Sequence, residues 1–186
     1  MMEKALSTIF ILVLLLTGVS SILAAQEVDY QEVDGVFKPE EYDNTLYVEA
    51  LEMDIGWSVK EGNLVFGVRT VGLGWAAVGF NPTTMMRNAN IIIGDVDEEG
   101  SLSIEDHFGV SNTGHRADEE RNILQAAGSE SEEGTVIEFV IPLDSGDDMD
   151  RKLEAGQEYK VILAYHMSSN SFKIRHSNRT SVNIQL

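Results

Sequence analysis

The chain contains no cysteine. That absence removes thiolate nucleophiles, iron–sulfur clusters, blue copper sites and the C-x-x-C-H attachment of c-type haem. It also removes disulfides, so an exported form must rest on its core alone. Any metal or cofactor has to be held by histidine, methionine or carboxylate. Basic residues are scarce too: 13 Lys and Arg stand against 31 Asp and Glu, a formal net charge of −18. Phosphate backbones need clustered Lys and Arg, so nucleic acid is excluded as a partner. Anionic lipid is disfavoured for the same reason. A solvated acidic surface or a basic partner suits the charge. No G-x-S-x-G, no H-E-x-x-H, no long helical period and no internal repeat occurs, so nothing points to hydrolytic catalysis.

Only one apolar stretch is long. Lys4 is followed by the uncharged segment Ala5 to Ala25, with Ile9 to Leu16 as its apolar centre and Ser20, Ser21, Ala24 and Ala25 after it. This is the order of a secretory signal. The reading is a signal peptide over 1–25 and a single domain over 26–186, secreted, periplasmic or at the cell surface. The alternative is an uncleaved anchor over 5–25, since about 20 apolar residues span a bilayer. Only in that case is a membrane a partner.

The rest reads as short strands between Gly, Asn, Asp and Glu. Met53, Ile55, Trp57 and Val59 alternate with polar or small residues, as do Leu64, Phe66 and Val68 after Glu61-Gly62-Asn63. Period-2 runs joined by a short Gly loop predict a hairpin. Further strands are expected over Leu46–Ala50, Trp75–Phe80, Ile91–Val96, Ile123–Ala127, Thr135–Ile141, Tyr159–Tyr165 and Thr180–Leu186, with Leu102 and Ile104 opposite Ile91–Val96. Asn81-Pro82 and Pro142 act as terminators. Residues 105–122 read as a long polar loop. The fold class is all-β, about nine to eleven strands in two packed antiparallel sheets. A closed barrel is the alternative.

One stretch resists this description. NPTTMMRNAN, residues 81–90, puts two adjacent methionines in a polar connection between apolar strands. Methionine normally fills core gaps, so Met85 and Met86 either plug the end of a sheet or offer a thioether for chemistry. The order around them is familiar. Gly74-Trp75-Ala76-Ala77-Val78-Gly79-Phe80, a Met-bearing loop, then Ala89-Asn90-Ile91-Ile92-Ile93-Gly94 resembles the core of DOMON domains. The later Ile104-Glu105-Asp106-His107-Phe108, the Thr135–Leu143 strand, Tyr159–Tyr165 and a His near the C-terminus follow the same order. The resemblance covers roughly residues 30–186.

It implies an immunoglobulin-like β-sandwich that binds haem b or a sugar-like or other small ligand. Such domains accompany dopamine-type monooxygenases and form the cytochrome part of cellobiose dehydrogenase and of plant b-type cytochromes. In haem-binding members a Met from the loop after the GWxAxGF strand and a His near the C-terminal strands hold the iron. The matching positions are Met86, with Met85 as its neighbour, and His176, with His166 competing. Met86 is preferred because it directly precedes Arg87-Asn88-Ala89, which leads into the next strand. His176 is preferred because it enters the last strand. The implied slot lies between the sheets or at their end, with Trp75, Phe80 and Ile91 as walls. Arg175 or Lys173 would pair with haem propionates, and Arg179 completes a basic cluster. With both axial positions filled, the domain would pass electrons to a redox partner protein and perform no chemistry itself. The alternative is a non-redox module for a sugar or phenolic.

Three further features carry less. His107 and His115 share their segment with Glu105, Asp106, Asp118, Glu119 and Glu120, a set suited to a transition metal but without motif spacing; two exposed loop histidines are expected. The run Asp144 to Asp150 suggests calcium but lacks EF-hand spacing. Asn178-Arg179-Thr180 is a glycosylation sequon.

Overall fold

The computed structural model describes residues 30–186; the leader expected over 1–25 lies outside the described residues. The strands are β1 (Asn44–Val48), β2 (Met53–Lys60), β3 (Asn63–Arg69), β4 (Ala76–Phe80), β5 (Asn90–Val96), β6 (Leu102–Phe108), β7 (Arg116–Ala117), β8 (Gln125–Ser131), β9 (Gly134–Pro142), β10 (Glu158–Tyr165) and β11 (Asn178–Gln185). They form two antiparallel sheets, ordered β1-β2-β3-β9-β8 and β11-β10-β4-β5-β6-β7. Among the described residues each sheet ends in free edges, so the arrangement is a sandwich and not a closed barrel. The only helical pieces among the described residues are single 3₁₀ turns at Pro39–Glu41 and Glu49–Leu51.

Local chemistry sets the register. β2 and β3 close through the Lys60↔Asn63 pair, and the two residues between, Glu61 (φ 52°) and Gly62 (φ 80°), both lie in the left-handed region. That is what a two-residue hairpin turn matched to strand twist requires. Alternation then sends Met53, Ile55, Trp57, Leu64, Phe66 and Val68 inward against Ala76, Val78, Phe80, Ile92, Val161 and Leu163 of the other sheet. Phe80 meets Phe66 edge-on at 5.4 Å, and Phe66 stacks on Phe139 at 5.7 Å. This aromatic cluster is the centre of the core.

Both outer faces are also covered. On the five-stranded sheet, residues 30–43 lay Tyr30, Val33, Phe37 and Tyr42 over Val65, Val136 and Val140. Glu138, fully buried on that face, accepts hydrogen bonds from Tyr42 Oη (2.6 Å), Gly35 N (2.8 Å) and Asp34 N (3.1 Å). On the six-stranded sheet every residue of β5 is buried. Ile92 and Val96 face the core, so Ile91 and Ile93 are covered from the other side.

Two expectations need correction. Residues 105–122 are not one loop: 105–108 complete β6, paired with β5, and Arg116–Ala117 add an edge strand. The strand expected at Ile123–Ala127 begins and ends later, as β8. Both misses have one cause. β6 carries Asp106 and His107 at buried positions, and β8 is a half-exposed edge strand, so neither shows the apolar alternation by which strands are recognised.

Candidate functional site

The alternation that builds the core also builds a second apolar surface. Ala77 and Gly79 of β4, Ile91 and Ile93 of β5, and Ile162 and Ala164 of β10 occupy the outward positions, and the register aligns Ile91 with Gly79 and Ile162, and Ile93 with Ala77 and Ala164. Small residues in the middle and isoleucines on both sides make a shallow trough. Segments 81–89, 109–115 and 166–177 roof it. The result is a cavity of about 420 Å³ lined by these residues together with Trp75, Met85, Met86, His115, Phe172 and the stretch 173–176. Its size and apolar walls are those of a small-molecule or cofactor site. The slot is therefore on the outer face of the six-stranded sheet, not between the sheets.

The methionine segment is tightly fixed. Arg87 N donates to Thr84 O at 3.0 Å, Thr83 N to Arg87 O at 2.9 Å and Ala89 N to Met86 O at 3.0 Å. Asn81, Met85 and Asn88 all have positive φ, at 50°, 52° and 60°. Asparagine tolerates that region; a long methionine there is uncommon and strained by about 1 kcal/mol or more. The turn holds Met85 at the rim, 40% exposed, and Met86 half-buried behind it.

On the opposite roof, the 166–177 segment is tied down by Leu73 N to Met167 O (2.9 Å), Trp75 N to Ser169 O (3.1 Å) and Ser177 N to Tyr165 O (2.9 Å). His176 lies there, half-buried, with its pKa held below the usual histidine value by burial and by the charges of Arg179 and Arg175. It is neutral at pH 7, the form that binds metal. Lys173, Arg175 and Arg179 also line the cavity, are exposed, and enter no ion pair among the described residues. In a chain of charge −18 they make one basic rim.

The structure gathers Met85, Met86, Trp75, Arg175 and His176 into this cavity and sets two other candidates apart. Phe80 is in the core. His166 is the first residue of the 166–177 segment, its ring 6.4 Å from the Trp75 ring, and it does not line the cavity. Its Nδ1 accepts the N–H groups of Ser168 (3.1 Å) and Ser169 (2.8 Å), so in the neutral ring the proton is on Nε2 and no lone pair is left for a metal. Trp75 is 4% exposed and its Nε1–H has no hydrogen-bond partner among the described residues. A buried donor without a partner on a cavity wall suits a ligand oxygen.

One group escaped sequence reasoning. His107 is buried, 7% exposed, not an exposed loop histidine. Its Nε2 lies 2.7 Å from Glu105 Oε2 and its Nδ1 2.8 Å from His115 Nδ1. Glu105 can only accept, so His107 Nε2 carries a proton. In a neutral His107, Nδ1 then accepts from His115, whose Nε2 keeps the free lone pair. His115 lines the cavity. The alternating Glu105-x-His107 placed both side chains on one strand face, and that spacing was the available signal.

Burial, and secondarily His107, keep the His115 pKa below its ordinary value. The unfolded chain therefore binds protons near pH 6.5 that the fold resists, and stability falls as pH drops through that value towards the folded pKa. His176 acts in the same direction. Thermal melts at pH 7.5 and pH 5.5 should show the parent losing more stability than His115→Asn; equal losses would mean that His115 is not held neutral.

Comparison with known proteins adds to this geometry. The family described as “DOMON domain” matches residues 49–166. The human protein “DBH-like monooxygenase protein 1” is 29% identical over 112 residues, 60% of this chain but 18% of that one. The chain thus spans less than a fifth of that relative. Among solved structures, the cytochrome b domain of pyranose dehydrogenase from Coprinopsis cinerea aligns with a TM-score of 0.61 and 12% identity, covering 83% of this chain and 85% of that one. The cytochrome domain of Myriococcum thermophilum cellobiose dehydrogenase aligns with a TM-score of 0.56 and 11% identity over 77% and 88%. At such identities the structural likeness establishes the fold alone.

Proposed function

Because the chain belongs to the DOMON domain family, we propose that it is an exported electron-transfer module whose outer-face cavity would bind haem b, with Met86 and His176 as the residues that would hold the iron. The observation that carries this reading is that a loop thioether and a neutral imidazole line one apolar cavity from two roof segments. The donor set fits the group. Both ligands are uncharged, the trough of Ile91, Ile93 and Ile162 offers an apolar wall, and the basic rim offers Lys173, Arg175 and Arg179 to carboxylates. The Trp75 N–H supplies another donor. Cytochrome domains among the fold neighbours agree with it. Bound haem would supply a one-electron couple, and a thioether ligand favours the ferrous form. The residues of this chain would hold and orient the group and exclude water; a redox partner protein would meet the basic rim.

The test is an absorption spectrum of the protein from a haem-sufficient host, oxidised and then dithionite-reduced. A Soret band with sharp reduced α and β bands is expected. Met86→Ala or His176→Ala should convert the low-spin spectrum to a high-spin one or abolish haem uptake. A colourless protein that takes up no added hemin would overturn the reading.

A second reading rests on His115. An imidazole lone pair held in place by His107 and Glu105 suits a hydroxyl, and the cavity would then bind a phenolic or sugar-like ligand without redox chemistry. Under that reading Met86→Ala leaves affinity nearly unchanged, whereas His115→Asn weakens it about tenfold, the loss of one buried hydrogen bond.

A further inference from the structure

The outer face of the six-stranded sheet does not end its chemistry at β5. The register pairs Ile91 with His107 and Ile93 with Glu105, so both polar side chains stand on the trough's face of the sheet. On the far side β7 sets Ala117 opposite His107. His115, from the 109–115 roof segment, lines the cavity. Its Nδ1 lies 2.8 Å from His107 Nδ1, and His107 Nε2 lies 2.7 Å from Glu105 Oε2. His115 is half-buried, His107 is buried, and the Glu105 side chain is 52% exposed. The three groups run from the cavity wall, through a buried ring, to a solvated carboxylate.

Protons fit this chain in two orders. In the resting order His107 Nε2–H donates to Glu105, His115 Nδ1–H donates to His107, and His115 Nε2 keeps a lone pair. In the second order a proton has entered at His115 Nε2, the Nδ1 proton of His115 has passed to His107 Nδ1, and His107 is an imidazolium against Glu105. Both hydrogen bonds survive the exchange, and only the one between the rings reverses direction. His115 is a poor place for the extra proton, because burial first, and then His107, holds its pKa below the ordinary value. His107 has a carboxylate beside it. The charged neighbours do not oppose this. Arg116 turns away to Met149 Sδ, 3.4 Å from its Nη2. Asp95, the next outward residue of β5 after Ile93, is pushed up by burial and then by Asp97, Glu130 and Glu105, and it brings no positive charge.

We propose that the cavity binds a phenol as its phenolate, with His115 taking the proton and His107, paired with Glu105, keeping it. The proposal rests on the reading of a hydroxylated ligand in the cavity and adds the ionisation of that ligand. The step is balanced. The ligand O–H breaks as the Nε2–H of His115 forms, and the Nδ1–H of His115 breaks as the Nδ1–H of His107 forms; nothing is oxidised or reduced. A sugar hydroxyl holds its proton too tightly for an imidazole to take. A phenol titrates at about 10, and nearby cations bring it lower. The cavity supplies them: Lys173, Arg175 and Arg179 line it without an ion pair among the described residues. The Trp75 Nε1–H, buried without a partner, is a further donor to the anion.

The test titrates the full chain with para-nitrophenol, whose phenolate is yellow, in buffer about one pH unit below the probe's own pKa, where about a tenth of the free probe is ionised. Equilibrium dialysis counts the bound probe, and its absorption gives the ionised fraction. More than about half of the bound probe should be phenolate, a rise of about fivefold. Glu105→Gln keeps an oxygen for the His107 Nε2–H but removes the charge that stabilises the imidazolium. Its bound probe should return to about a tenth ionised, and the fold should be intact because the side chain is exposed. His115→Asn should lose the ionisation too. A carboxylate that only anchored His107 would be replaced by the amide without effect. Bound probe that stays about a tenth ionised, or that is equally ionised in parent and Glu105→Gln, would overturn the proposal and leave the reading of a hydroxylated ligand standing. A chain that takes up no para-nitrophenol, or that purifies with haem in the cavity, would overturn both.

Discussion

Gly109→Ala will destabilise the fold by about 3 kcal/mol, the upper end of ordinary overpacking, and will displace Met86. Gly109 follows β6 and runs against the methionine segment. A Cβ there would stand 1.6 Å from Met86 O, 2.7 Å from Met86 C and 3.2 Å from Ala89 N. All three are backbone atoms, so no side chain can swing aside. The same two segments are cross-linked by Asn88 N to Gly109 O (2.7 Å), Gly109 N to Ala89 O (2.9 Å) and Met86 N to Asn112 O (3.4 Å). Relieving the clash breaks these bonds and frees the strained turn at Met85. For a chain of this size the melting temperature should fall by about 6–12 °C, and uptake of hemin or ligand by at least tenfold. Gly100→Ala is the control. Gly100 is at positive φ, unlike Gly109, but has open space around it, so it should lose only about 1 kcal/mol and leave uptake intact. A Gly109→Ala protein unchanged in both readouts would mean that the methionine segment is not positioned by this contact.

That contact also shows what a sequence can and cannot tell. Strand positions were legible wherever one face is apolar and the other is not: Met53 to Val59 and Leu64 to Val68 alternate, and Glu61-Gly62 supplies the turn. The continuous run Ile91-Ile92-Ile93 carried a further message, because a strand without alternation is one buried on both faces. It pointed to a covered outer face, and hence to the cavity. That Met86 and His176 line one cavity was legible only through the family resemblance, since 90 residues separate them. The Glu105–His107–His115 chain was legible only in its Glu105-x-His107 spacing. His107 is buried and His115 half-buried, brought together by strand register and loop packing, and polar residues in a charged segment look solvated until the fold is known.

Phe80→Ala will destabilise by about 3–5 kcal/mol, the usual range for a buried phenylalanine, and will leave the cavity's binding properties alone in the fraction that folds. Phe80 is 1% exposed and lies edge-on to Phe66 at 5.4 Å and to Phe139 at 6.3 Å. Its removal leaves a void between the sheets that neither neighbour can fill without leaving its own ring contacts. Ala77 is three residues away on the same strand, on the other face, in the middle of the trough. Ala77→Leu adds bulk to the cavity floor and should reduce hemin or ligand uptake at least tenfold, while the melting temperature moves by no more than about 4 °C, the equivalent of about 1 kcal/mol. The two variants thus separate stability from binding along one strand, and the separation follows from strand alternation alone. Both are read in the same two assays, thermal melting and saturation binding. If Phe80→Ala stays stable and loses uptake, the binding site extends through the sheet into the core, and the outer-face trough is not the functional surface.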